Sequence, residues 1–145
     1  MKAWHFVGET LRDGSPVPAD GVTLRYDGDI ALCCRGYHAS KRAIDALTYA
    51  PGPVICRVEL GGTIIHSGDK MVASERTILW RVEGSGLLRR FARKTAYGLI
   101  DLWDAPEVVV EYLKTGNEEI RSEAYSVARS VAYSTAWSAA RSARS

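Results

Sequence analysis

Three histidines and three cysteines are all that the 145 residues offer as soft metal ligands. His5, His38 and His66 stand far apart, and no HxxxH or CxxC spacing occurs. A zinc site would need ligands gathered from distant segments, so no metal is expected. Phosphate-loop patterns are missing too: there is no GxGxxG, and Gly61-Gly62 and Gly84-Ser85-Gly86 read as plain turns. No apolar run nears the roughly 18 residues of a membrane span, and the opening MKAWHFVGE has no long apolar stretch of the secretory kind. The expectation is a soluble, cytoplasmic chain with no membrane partner. A net charge of +2 is too small to imply a nucleic-acid partner by itself. Cys33, Cys34 and Cys56 fall in expected strands, and any pairing leaves one over; buried free thiols are expected.

What is present is an ordinary globular composition, with 46% hydrophobic and 25% charged residues. The chain is organised around Ile30–Gly62. Ile30–Cys34 reads as a strand, broken by Gly36, with Tyr37 and His38 following. Ser40 is placed to cap a short helix carried by Ala43, Ile44 and Leu47. Pro51, Gly52 and Pro53 end it, and Val54–Leu60 alternates as a strand. Tyr37 and His38 would then sit at the mouth between two strands and a helix start. Lys2–Val7, Val22–Tyr26, Thr63–His66 and Arg76–Val82 are further strand candidates. Asp27-Gly28-Asp29 and Gly61-Gly62 read as hairpin turns, and Ser67–Lys70 as a loop.

Beyond residue 86 the period changes. Leu88, Phe91, Ala92, Thr95, Leu99, Leu102 and Trp103 share one helical face, opposite Arg89, Arg90, Arg93 and Lys94. Asp104-Ala105-Pro106-Glu107 signals a new helix, Gly116 its end, and Asn117 a cap for the next. From Ala124 the chain repeats every four residues, with alanine and serine stripes and a column holding Tyr125, Arg129, Tyr133, Trp137 and Arg141. The fold class expected is α+β. Residues 1–86 form a small twisted mixed or antiparallel sheet with one short helix. Residues 87–116 form two packed helices, and 117–145 one long C-terminal helix suited to docking or self-association.

Two resemblances follow from these residues. Leu32-Cys33-Cys34-Arg35-Gly36-Tyr37-His38-Ala39, with Gly68-Asp69-Lys70 and the Ala-, Arg- and Trp-rich tail, is similar to a family of small uncharacterised phage and prophage domains. That resemblance implies a mobile-element origin and names no activity. The leading functional expectation rests on how small phage proteins commonly act and not on these residues: an accessory protein that binds and inhibits a host macromolecule, such as a defence or CRISPR complex, in the host cytoplasm. Its contacts would come from Arg89, Arg90, Arg93, Lys94, Arg129, Tyr133, Trp137 and Arg141. Separately, GYHASKRAIDALTY followed by VICRVELGG resembles the layout of ADP-ribosyltransferases of the diphtheria-toxin and poly(ADP-ribose) polymerase type. Ala3-Trp4-His5 and Ala73–Ile78 fall in matching order. This likeness implies an ADP-ribosyltransferase-like sheet and NAD as cofactor. His5 would hold the nicotinamide ribose, and His38 or Tyr37 would stack on the base, with Tyr49 alongside. Glu75 would stabilise the oxocarbenium-like transition state. A third reading is nucleic-acid binding through Arg89, Arg90, Arg93 and Lys94. Each residue also has a plainer role: His5 in packing, His38 in a backbone hydrogen bond, Glu75 and Arg76 as a solvated pair.

Overall fold

The computed structural model describes residues 1–142, with side chains described as far as Ser134. The chain divides into two compact units, Met1–Ser85 and the part from Gly86 onward. The fold is α+β.

The first unit is built on one long hairpin. β4 (Val54–Ser67) and β5 (Lys70–Glu83) are each 14 residues long and pair antiparallel from Val54↔Glu83 to Ser67↔Lys70. The outer side of β4 takes β1 (Lys2–Val7), from Lys2↔Glu59 to Val7↔Val54. The outer side of β5 takes two short strands in succession, β2 (Thr23–Arg25) against Glu75–Thr77 and β3 (Tyr37–Ala39) against Met71–Ala73. All pairings are antiparallel, and the sheet is open, in the order β1-β4-β5-β2 with β3 also on β5. One residue pair links its far parts: Trp4 and Ser40 exchange both backbone hydrogen bonds, at 2.8 and 2.9 Å.

Side chains alternate across each strand, and one face closes a core of Ala3, Val7, Ala39, Cys56, Val58, Leu60, Met71, Ala73 and Ile78. Several of these are β-branched or small, as a half-buried pleat requires. The other face carries a cross-strand row, Trp4–Arg57–Trp80. The guanidinium of Arg57 lies 4.7 Å from the Trp4 ring, and the two indoles meet edge-on at 5.8 Å. The short helix α1 (Ala43–Leu47) packs on β1.

Several expectations are corrected here. Gly61-Gly62 does not end a strand; it forms a bulge inside β4, where Gly62 and Thr63 stand opposite Ser74. Gly62 has φ +65, and a Cβ there would lie 2.0 Å from Ser74 Oγ, so the position needs glycine. The chain reverses at Gly68-Asp69 instead. Ile30–Cys34 is not a strand. Ala31 makes an isolated bridge with Arg35, closing a turn in which Cys33 adopts φ 63. The strand starts later, at Tyr37, after Gly36 at φ +97, whose missing Cβ makes room for Val72 and Ile30. Asp27-Gly28-Asp29 makes no hairpin, because β2 pairs with the distant β5. Ser40 is spent on its bridge to Trp4, and the residue capping α1 is Arg42, with no side-chain cap bond.

The second unit holds α2 (Ser85–Tyr97), a 3-10 turn (Ile100–Leu102), α3 (Glu107–Thr115) and α4 (Arg121–Ser142). Gly98 follows the last turn of α2, so the helix expected to run to Trp103 stops early. Pro106, rather than Asp104, occupies the N-cap of α3, and Gly116 ends it. Asn117 Oδ1 accepts the Glu119 N–H at 3.0 Å just before α4. α3 packs on α4, with Val109 and Ala124 buried. Arg93 ties α2 to α3 by donating to the Leu113 and Lys114 carbonyls at 3.0 and 3.2 Å.

Candidate functional site

Arg76, read from the sequence as half of a solvated pair, is the centre of a polar cluster inside the first unit. Only 4% of it is exposed. Its register partners are Leu24 and Leu60, which brings its side chain onto the core face beside Ile78. The guanidinium lies 5.2 Å from the Tyr37 ring and donates to the His38 carbonyl at 3.1 Å. Its Nε is buried with no hydrogen-bond partner among the described residues. Burial pulls its pKa down to about 10, the Cys56 and Tyr37 side chains partly opposing the fall. His5 projects onto the same face as Ala3 and Val7, opposite Cys56. Burial first, then the positive charge of Arg76, then His38, lower its pKa to about 3. His5 is therefore a neutral imidazole at physiological pH. Burial also pushes the Cys56 thiol up.

His38 turns the other way. Tyr37 and Ala39 share the core face of β3, so the His38 ring stands on the opposite side. Its Nε2 accepts the backbone N–H of Cys33 at 2.9 Å. Burial, then Arg12 and Arg76, lower its pKa. An accepting Nε2 and a lowered pKa describe the same neutral ring. Arg12 completes the clamp by donating from Nη1 to the Cys33 carbonyl at 3.0 Å. Both adjoining thiols, Cys33 and Cys34, are exposed, which corrects the expectation of buried cysteines; only Cys56 is buried.

Tyr49 stands on the same rim. Its hydroxyl donates to Asp69 Oδ2 at 2.8 Å, and the Lys70 ammonium lies 4.9 Å from its ring centre. A hydrogen bond to the Cys33 side chain is the first cause that holds Lys70 above the ordinary lysine value. Next to Asp69 a groove of about 350 Å3 runs between the start of α1 and the hairpin tip, lined by Lys41, Arg42, Asp45, His66, Gly68 and Asp69 among others.

Glu75 belongs to neither cluster. Adjacent to Arg76, it points to the other face, where Arg25 holds its carboxylate at 3.0 Å over the bare Gly61. The structure thus sets Tyr37 and the His38 backbone around Arg76, with His5 feeling its charge from the same face of the sheet. It places the His38 ring with Cys33 and Tyr49 with Lys70, and it sets Glu75 apart with Arg25.

Of the expected contact residues, Arg93 is used inside the helical unit, and Arg89 lies 3.8 Å from Glu118. Arg90 and Lys94 are exposed. Arg129 lies 5.4 Å from the Tyr133 ring on α4. The side chains of Trp137 and Arg141 lie outside the described residues.

Arg76, Arg12, Lys70 and Asp69 carry the geometry but were not read as site residues from sequence, Asp69 and Lys70 entering only through the Gly68-Asp69-Lys70 resemblance. For Arg76 one signal existed: a cation opening the strand-like run RTILWRV. The other three are joined only by tertiary pairing.

A family model, the domain of unknown function DUF7666, matches residues 1–90. The chain belongs to that family. The DUF7666 match covers the whole sheet unit and the first turn of α2, and so includes both polar clusters. No curated protein and no solved structure matches the chain.

Proposed function

We propose that this DUF7666 protein is a binding protein that acts by occupying a surface of a larger host protein complex, as phage-type accessory proteins do. The observation that carries the reading is α2. Its residues segregate into an apolar and a basic side, yet none of its side chains is buried. Leu87 is 63% and Phe91 47% exposed, beside the exposed Arg90 and Lys94. An amphipathic helix contributes stability by burying its apolar stripe, and in this one Leu88 is only partly buried while Leu87 and Phe91 are exposed. Aromatic, aliphatic and arginine side chains on one helix are the composition of interface hot spots. The NAD transferase alternative needs His5, His38 and Glu75 around one ribose, whereas the His38 ring is engaged by the Cys33 N–H and Glu75 by Arg25. The geometry therefore favours binding over catalysis.

The test is affinity capture from a candidate host lysate with the wild-type chain and with Leu87→Glu/Phe91→Glu. Loss of about 2 kcal/mol or more on removing hot-spot contacts predicts that the double variant recovers at least about tenfold less of any specific partner. Equal recovery by both proteins, with helix content unchanged by circular dichroism, would sink the proposal.

A further inference from the structure

Arg76 is a buried cation with no counter-charge. Only 4% of it is exposed, yet no carboxylate pairs with it among the described residues. Glu75, its neighbour in sequence, faces the other way and is held by Arg25 at 3.0 Å. Arg81, the other guanidinium near Cys56, has its own partner in Asp20 at 2.6 Å. With a pKa of about 10, Arg76 stays charged at neutral pH.

The protein satisfies only part of the guanidinium. Nη1 donates to the His38 carbonyl at 3.1 Å, and the Tyr37 ring centre lies 5.2 Å away. The edge made of Nε and Nη2 has no hydrogen-bond acceptor among the described residues, and Nε is sealed from solvent. An uncompensated buried charge and an unmade buried hydrogen bond both oppose folding. An anion on that edge supplies the counter-charge and the acceptor together. Two parallel N–H groups are also the arrangement that takes both oxygens of a carboxylate.

We propose that the Nε–Nη2 edge of Arg76 binds the carboxylate of a small monoanionic molecule, at a site separate from the surface of α2. The surroundings set the charge. Leu24 and Leu60 flank Arg76 across the two ladders, and Ile78 shares its face. His5 lies within the field of Arg76 and is neutral, so one positive charge is left uncompensated there. A carboxylate cancels it, whereas a doubly charged phosphate leaves a negative charge in an apolar setting. Access runs past Leu24 and Tyr37, both half-buried. Leu24 belongs to β2, a three-residue strand on the edge of the sheet. A short edge strand with few buried contacts opens at low free energy.

The test follows the Arg76 Nε–H resonance of the isotope-labelled full chain, assigned through its bonds to the Arg76 side-chain carbons. Sodium acetate, phosphate and chloride are titrated separately at neutral pH and equal ionic strength. Acetate is expected to move the resonance along a saturating curve, phosphate to move it less, and chloride to leave it in place. Acetate should also raise the thermal midpoint, as a ligand of the folded state does. Arg76→Lys keeps the charge but loses the two-donor edge, and is expected to bind acetate at least about tenfold more weakly. The wild-type titration stands by itself if that variant fails to fold. A resonance unmoved by every salt up to about 100 mM, where a millimolar ligand saturates, would mean that water alone meets Nε and would overturn the site. Equal responses to all three salts would reduce the effect to screening and overturn it as well. A stronger response to phosphate than to acetate would overturn the carboxylate.

Discussion

The sheet unit and the helical unit bury their side chains on different terms. In the first, Ala3, Cys56, Val58, Leu60, Met71, Val72, Ala73 and Ile78 are all sealed from solvent around one hairpin. In the second, the buried side chains among the described residues are Val109 and Ala124, while Leu87, Phe91, Leu99 and Leu102 stay exposed. Since apolar burial is the main favourable term in folding, the sheet stabilises itself and the helices leave much of their apolar surface unsatisfied. The contrast teaches where burial resides: the sheet sets its polar clusters against a sealed core, and the helices leave apolar side chains exposed.

Three effects, tested by four substitutions, sharpen or break that contrast. The largest effect is expected from Ile78→Ala, which opens a cavity in the sealed core and costs about 2–5 kcal/mol. Val109→Ala, on the sparser helical side, costs about 1–2 kcal/mol. Urea denaturation followed by tryptophan fluorescence and by circular dichroism measures both. Coincident loss of both units on Val109→Ala would show that they unfold as one and break the contrast.

The second effect is acid sensitivity confined to the sheet. His5 and His38 have folded pKa values below the ordinary 6.5, so the folded state resists taking up their protons. Their stabilisation is complete above about pH 6.5 and is lost as pH falls toward the folded values. With His5 at about 3, the loss between pH 7 and pH 4 is about 3 kcal/mol at about 1.4 kcal/mol per unit. His5→Gln should flatten that part of the profile. An unchanged slope in the variant would move the sensitivity elsewhere.

The smallest effect is expected from Arg93→Met. It removes the two bonds to the Leu113 and Lys114 carbonyls and should cost about 1–2 kcal/mol in the helical unit alone. Hydrogen exchange at the end of α3 should rise, with the sheet amides unaffected.

How much of this was legible in the sequence follows from the range of the interactions. β1, the first half of β4 and the second half of β5 showed themselves by alternation within a few residues. Of the helix ends, Gly116 was written locally, whereas Gly98 read only as a weak point in a helix running to Trp103, and Asp104 stood in for the cap that Pro106 provides. What stayed hidden depends on partners far along the chain. Gly61-Gly62 looks the same whether it turns the chain or bulges within a strand, and Ser74 across the ladder decides. The apolar run Ile30–Cys34 looked like a strand because part of what holds its turn, the bonds from Cys33 to His38 and Arg12, comes from outside it and adds to its own Ala31–Arg35 closure. Glu75 and Arg76 read as a surface pair because adjacent charges in sequence say nothing of pleat. In the sheet they face opposite ways, one to Arg25 and one to Tyr37.

The β4–β5 hairpin has a consequence for how the molecule comes into being. Each of the other three strands docks on one of its two ladders, and none pairs along its length with another. A hairpin closes in about 1–10 μs, because its partners are neighbours along the chain. β1, β2 and β3 leave the ribosome before their partners, Val54–Glu59 for β1 and Met71–Thr77 for β2 and β3. The polypeptide is synthesised from its N-terminus but assembles outward from its middle, and a nascent chain halted before Lys70 should remain unstructured.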